Sequence, residues 1–344
     1  MSPEPQPILS VRNLKTQFPL DEGLVIAVDG ASFDVTTGKT LGIVGESGCG
    51  KSVTARSILG ILDRPGKIVE GEVNFRRGSK KNGEGTWVDL ARLDPNGAEM
   101  REVRGGEIAL VFQEPMSSFS PVHTIGTQLL EAIRLHRDVS KAEARRIGID
   151  LLRQVGVPNP ERRIDAYSFQ LSGGIRQRAM IATALAGGPS LLIADEPTTA
   201  LDVTTQAQIL DLLRGLQAQH GMAIMLITHD LGVIAEMADD VVVMYLGEVV
   251  ESAPVDAIFH DARHPYTRAL IQSIPSVTAP SGEKLATIAG SVPHPNNRPT
   301  GCPFHPRCAS FIPGTCDRAM PAATIVTENH TVSCFLYGDR EAAP

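Results

Sequence analysis

The feature that most constrains this chain is the run Gly45-Glu46-Ser47-Gly48-Cys49-Gly50-Lys51-Ser52. It fits GxxxxGK[ST] in full, follows the apolar run LGIV and opens the helical pattern SVTARSILGIL. Strand, glycine-rich turn and helix in that order make a phosphate-binding loop. The glycines let backbone N–H groups turn inward around phosphate oxygens, and the helix N-terminus adds partial positive charge. Lys51 is placed to reach the β- and γ-phosphates of a nucleoside triphosphate, and Ser52 to ligate Mg²⁺. Such a loop sits at the end of a strand in a parallel sheet. The runs LGIV (41–44), IALVF (108–112), LLIA (191–194), AIMLIT (223–228) and VVVMY (241–245) are apolar throughout and alternate with helical patterns. Strands covered on both faces by helices read this way.

Other stretches differ. ILSVRNLKTQF and AVDGASFDV, in the first 35 residues, alternate polar and apolar side chains and are expected to pair antiparallel. Residues 76–100 are polar and Gly-rich and read as a surface loop or hairpin, and residues 127–187 carry helical periodicity. A boundary falls near 255–275, and the proline-rich remainder is expected to be irregular. No internal repeat is visible.

An apolar fraction of 42% can build a core, and a net charge of -7 argues against a dedicated nucleic-acid binder. Met1 to Pro7 is polar, with no apolar stretch of a signal peptide after it. The longest apolar runs, such as VVVMYL, fall far short of the about 20 residues that a membrane-spanning helix needs. These features predict a soluble, cytosolic chain.

A second chemical element supports the first. SLLIADEP ends an apolar strand in Asp195-Glu196. Asp195 at that strand end can hold Mg²⁺ through water. Glu196 can polarise an attacking water as general base.

Phosphate loops of this kind serve kinases, GTPases, helicases and transporters, so further residues decide. Leu171-Ser172-Gly173-Gly174-Ile175, followed by Arg176-Gln177-Arg178, resembles the LSGGQ signature of ATP-binding cassette (ABC) ATPases, with Ile175 where Gln is commonest. The order of phosphate loop, Gln113, LSGG, Asp-Glu, Thr199-Ala200-Leu201-Asp202 and His229 resembles that family over residues 8–255. The resemblance implies an α/β ABC ATPase P-loop fold: a RecA-like, mostly parallel core sheet, an antiparallel β subdomain and an α-helical subdomain at about 114–188. A small irregular C-terminal extension follows. The nucleotide-binding domain would span 1–260 and the extension 261–344.

The resemblance also implies roles. Gln113 would contact Mg²⁺ or the attacking water, and His229 the γ-phosphate. Phe18 would stack on adenine, and Asp202 would lie in the D-loop at a dimer interface. Residues 171–175 would serve the ATP held by the other cassette of a head-to-tail dimer, because each cassette's own loop already holds its own nucleotide.

GIVGESGCGKSVTARSILGIL, VFQEPMSSFSPVHTIGTQLLEAI, HPYTRALIQSIP (264–275) and GSVPHPNNRPTGCPFHPRC resemble the ATPase subunits of oligopeptide/dipeptide importers, a group that also serves nickel and some oligosaccharides. The implied activity is ATP hydrolysis that drives import of peptides, at the cytoplasmic face of the membrane. The implied partners are a second, paralogous cassette in a heterodimer, two transmembrane permease subunits and an extracytoplasmic substrate-binding protein, with no nucleic acid. EPMSSFSPVH lies where the family receives a coupling helix of a membrane subunit. A soluble ABC ATPase of DNA repair or translation fits less well, because the chain has one cassette and no coiled-coil insertion.

Four of the five cysteines, Cys302, Cys308, Cys316 and Cys334, stand at the spacing C-x5-C-x7-C-x17-C. No CxxC pair occurs, so this is not the usual zinc-ribbon pattern. Four thiols can enclose a [4Fe–4S] cluster, or a Zn²⁺ with His305 as spare ligand, or they can be unligated or disulfide-linked. Some importers of the resembled group carry an iron–sulfur cluster in this extension, which favours the cluster. Its role would be structural, because ATP hydrolysis needs no electron. Cys49, inside the phosphate loop, reads as a small residue filling a tight turn, with thiol-based redox control as the alternative.

Overall fold

The structure, a computed structural model, describes residues 6–78, 85–113, 118–274, 287–294 and 297–338. In chain order its strands are β1 (Pro7–Leu20), β2 (Gly23–Thr36), β3 (Thr40–Val44), β4 (Lys67–Arg77), β5 (Thr86–Asp89), β6 (Ile108–Val111), β7 (Leu191–Asp195), β8 (Ala223–Thr228), β9 (Asp240–Tyr245), β10 (Glu248–Pro254), β11 (Ala323–Thr327) and β12 (His330–Ser333). Its helices are α1 (Lys51–Ile58), α2 (Ala98–Gly106), α3 (Ile125–His136), α4 (Lys141–Gln154), α5 (Pro160–Arg163), α6 (Gly173–Ala184), α7 (Val203–His220), α8 (Leu231–Met237), α9 (Val255–His260) and α10 (Pro265–Gln272). The chain divides into two compact units, one of Met1–Leu9, Val35–Thr40 and Asn74–Ile227, the other of Ser10–Asp34, Leu41–Val73 and Thr228–Pro344.

In the first unit β6, β7 and β8 lie side by side and parallel, with Ile108 opposite Leu191 and Leu191 opposite Ala223. Every residue of β7 and β8 is buried, as the unbroken apolar runs predict. The end of β4 pairs antiparallel with β5, Asn74 opposite Asp89 and Arg77 opposite Thr86, so the polar stretch 76–100 does contain a hairpin. Residues 79–84, between these strands, lie outside the described residues.

The helical periodicity of 127–187 becomes α3, α4, α5 and α6. Thr124 and Ser140 cap α3 and α4 by accepting from Thr127 N and Glu143 N, each at 3.2 Å, which satisfies donors that a helix start leaves open. Gly148 lets α4 approach α3 closely, since a Cβ there would stand 3.3 Å from both Leu129 Cδ2 and Leu130 Cδ1.

In the second unit β2, β1 and β4 neighbour one another in that order, and in another sheet β11, β12, β10, β9 and β3 are successive neighbours. β3 is parallel to β9, Val44 opposite Val243. β10 is antiparallel to β9 and to β12, and β12 to β11. The extension, expected to be irregular, thus contains a helix and ends in a hairpin that continues this sheet. Ile325 is 77% exposed, so the hairpin carries little of the apolar patterning that marks a core strand.

The extension also shares the unit's core. Phe304 and Tyr266 pack with Val44, Ile234, Val241, Val243 and Tyr245. The Phe304 ring stands edge-on to Tyr245 at 5.2 Å and tilted against Tyr266 at 5.3 Å. Burial of such a ring is worth about 1.5–3 kcal/mol. Glu251, 1% exposed, accepts from His330 Nε2 at 2.8 Å, Arg263 N at 2.6 Å and His264 N at 2.9 Å. Three donors on one buried carboxylate meet the requirement that a buried charge be paired. Among the described residues no helix is long and apolar enough to cross a membrane.

Candidate nucleotide site

The phosphate loop joins β3 to α1 within the second unit. Gly50 takes φ 97° at the N-cap of α1, and a Cβ there would lie 2.3 Å from Ala27 O, so glycine is required on both counts. Lys51 is buried, and its Nζ donates to Gly45 O at 2.6 Å and Glu46 O at 3.0 Å. Cys49 is buried too, and burial pushes its thiol above the usual range. A neutral thiol is a poor nucleophile, which fits the reading of Cys49 as packing. Ser52 follows Lys51 in the first turn of α1.

Two side chains that sequence reasoning did not assign to the site hold this loop. Glu46 N donates to the Tyr266 hydroxyl at 2.8 Å, and the Glu46 carboxylate pairs with Arg307. No local pattern announces either contact.

The acid pair ends β7 in the first unit. Asp195 is buried. Glu196 sits at φ 47°, and its N–H donates to Ile227 O at 2.8 Å. Gln113 Nε2 donates to Glu196 Oε2 at 2.8 Å, and Thr199 Oγ1 donates to the same oxygen at 2.9 Å. Gln113 and Glu196, 83 positions apart, therefore meet. The donation from Thr199 was missed; its only trace in the sequence is a hydroxyl three positions after the acid.

Ser172 occupies the N-cap of α6 and makes no capping bond there, while Arg176 Nε donates to Leu171 O at 3.0 Å. Gly173 and Gly174 form the first turn, with Ile175 next. A Cβ at Gly174 would stand 2.8 Å from Thr205 Cγ2. Thr205 is also held by Asp202, which accepts from Thr205 N at 2.9 Å and Thr205 Oγ1 at 2.7 Å. Those two bonds lower the Asp202 carboxyl below its usual range. The LSGG turn and Asp202 thus meet at one threonine. His229, in the second unit, is exposed between β8 and α8. Phe18 is half-buried on β1, its ring edge where a Cβ on Gly66 would fall 2.4 Å away.

Cys302, Cys308, Cys316 and Cys334 are free thiols lining one small cavity with Phe304, Ile312 and Leu336. Burial pushes Cys302 up to about 12 and raises Cys308 and Cys334 as well. His305 turns Nδ1 to Cys302 O at 2.9 Å. Among the described residues no group of three or more His, Cys, Asp or Glu converges closely enough to hold a metal ion.

Comparison with known proteins supplies the family. The profile described as "ABC transporter" matches residues 28–199, and that described as "Oligopeptide/dipeptide transporter, C-terminal region" matches 250–316. A putative peptide import ATP-binding protein of Brucella ovis is 48% identical, covering 96% of this chain and 98% of its own. The chain belongs to the ABC transporter family. Within it, the dipeptide transport ATP-binding protein DppD of Escherichia coli is 45% identical, with 98% of this chain and 99% of that one covered. The dimeric ATP-binding cassette MJ0796, in a post-hydrolysis state with ADP and Pi, superposes with a TM-score of 0.61 at 26% identity. It covers 72% of this chain and 98% of its own.

Proposed function

We propose that this ABC ATPase drives the import of peptides, dipeptides and oligopeptides, through a membrane transporter. The observation that carries the reading is similarity to dipeptide transport ATP-binding proteins over nearly the whole chain, extension included. Nickel and oligosaccharides are the rival cargoes, and a soluble, non-transport ATPase is the more distant alternative.

ATP is held by residues 45–52, with Lys51 on the β- and γ-phosphates and Phe18 against adenine. Ser52, Gln113 and, through water, Asp195 offer the oxygen donors that suit Mg²⁺, and the ion neutralises phosphate charge. Glu196 removes a proton from the attacking water. Gln113 and Thr199 orient its carboxylate, and His229 contacts the γ-phosphate. Leu171, Ser172, Gly173, Gly174 and Ile175 face the ATP of a second cassette, a paralogue, with Asp202 at that interface. ATP favours the closed pair, and hydrolysis reopens it, a ligand-driven population shift.

Two permease subunits and an extracytoplasmic binding protein complete the machine, with this chain at the cytoplasmic face of the membrane and no nucleic acid involved. The coupling segment begins at 114–117, outside the described residues. Beyond it, Gln128 pins the loop through Ser120 N at 2.8 Å and His123 O at 3.2 Å, leaving Val122 74% exposed for a membrane subunit.

The cysteine cavity is offered as the seat of a [4Fe–4S] cluster. The four thiols line one largely apolar cavity, which supports it, but as placed they do not converge closely enough to hold a metal ion. The same separation counts against Zn²⁺, whose four sulfurs would stand within about 4 Å of one another. The cavity holds only about 10 Å³, so the thiols would have to stand farther apart to admit a cluster. Anaerobically prepared protein should contain iron and acid-labile sulfide; zinc in their place overturns the cluster.

The cargo is tested by reconstituting the chain with its permeases and binding protein in vesicles. Di- and tripeptides should raise ATP hydrolysis and accumulate inside, whereas stimulation by Ni²⁺ or an oligosaccharide alone overturns the peptide reading.

A further inference from the structure

One side chain joins the cysteine-bearing loop to the phosphate loop. Arg307 immediately precedes Cys308, and its side chain is 4% exposed. Nη1 donates to Glu46 Oε2 at 2.7 Å and Nη2 to Glu46 Oε1 at 3.0 Å, a two-pronged grip on the carboxylate. Nε donates to Ala289 O at 2.9 Å, and Nη1 lies 3.3 Å from the Tyr245 hydroxyl. The guanidinium carbon stands 5.8 Å from the Tyr245 ring centre and 6.0 Å from that of Phe304. Arg307 is therefore fixed on several sides, by Ala289 and Phe304 of the extension and by Tyr245 of β9.

Glu46 is gripped in turn at three points. Its carboxylate meets Arg307, its N–H donates to Tyr266, and its carbonyl accepts from Lys51 Nζ. Tyr266 and Arg307 both come from the C-terminal extension. The neighbouring Gly48 and Gly50 at φ 79° and 97° bring no side chain that could restrain the loop. A loop ordered before its ligand arrives avoids the ordering cost of binding.

We propose that Arg307 is a positioning residue for nucleotide binding: from the cysteine-bearing extension it fixes Glu46, and through it the carbonyls and lysine of the phosphate loop. The inference rests on residues 45–52 being that loop. The loop holds ATP in the ground state and the transition state alike, so loosening it raises KM and leaves kcat in place.

The test uses the full chain and titration with Mg-ATP, alongside steady-state hydrolysis. Arg307→Gln and Glu46→Gln should each raise the ATP Kd and KM about tenfold, about 1.4 kcal/mol, with kcat changed less than about twofold. The double variant should bind no more weakly than the weaker single one, because both remove the same contact. Arg307→Lys, which keeps the charge and loses the fork, should fall between wild type and Arg307→Gln. Wild-type affinity in either single variant, additive losses in the double, or a fall in kcat with KM unchanged would overturn the proposal. If Arg307→Gln fails to fold, Arg307→Lys decides, since it keeps the charge and loses only the fork: wild-type affinity there overturns the proposal. Lys51→Ala should abolish binding; wild-type binding in that variant means instead that the phosphate-loop reading itself has failed.

Discussion

Glu196 is held at φ 47°, where a non-glycine residue costs about 1–3 kcal/mol. That geometry sets one carboxylate oxygen to receive both Gln113 and Thr199. A base aimed by two donors loses its proton-accepting role on Glu196→Gln without losing shape. ATP binding should therefore persist while turnover falls about a hundredfold to ten-thousandfold; single-turnover hydrolysis measures it, and an undiminished rate removes Glu196 from the role. Thr199→Val deletes one of the two donors. It should lower kcat about tenfold, close to the loss of one hydrogen bond to a charged group, with KM unchanged. At this scale Lys51, Gln113, Asp195 and Glu196 stand out in the sequence as candidates because each belongs to a motif with fixed order. Thr199 does not, because a hydroxyl three residues after an acid reads equally well as turn chemistry.

Elements were legible where burial is two-sided. β7 and β8 are apolar at nearly every position because helices must cover both faces of such strands. The hairpin β11–β12 escaped because it adds at an edge: β11 is exposed at alternate positions, and one of the two buried residues of the short β12 is a histidine, so little hydrophobic signal marks it. The extension's hold on the second unit comes instead from Phe304 and from the Glu251 carboxylate. Phe304→Ala removes a buried ring from among Tyr245, Tyr266 and His264. It should cost about 3–5 kcal/mol, read as a lowered denaturant midpoint. Loss of less than about 1 kcal/mol would mean the extension is not part of that core. Gly50→Ala should damage the phosphate loop more locally: its Cβ meets backbone rather than a yielding side chain, so ATP affinity should drop before global stability does.

For the molecule as a whole, the contact that unites its chemistry is the one least visible in a single sequence. Glu46 and Arg307 are 261 positions apart, and nothing in residue type or spacing pairs them. Arg307 is the neighbour of Cys308 and grips Glu46, so a change in how the Cys308 thiol is held can reach the phosphate loop through that guanidinium. Cys308→Ser removes one thiol and leaves Arg307 in place. Its ATP Kd should rise in the same direction as that of Arg307→Gln, by about threefold to tenfold, less than 1.4 kcal/mol. The decisive comparison is the same cysteine substitution made in the Arg307→Gln background. There the relay is already cut, so Cys308→Ser should add nothing to the Kd, although both substitutions lower thermal stability. An equal loss of affinity in both backgrounds would show that the cysteines act on the nucleotide site by some other route, or only through overall stability.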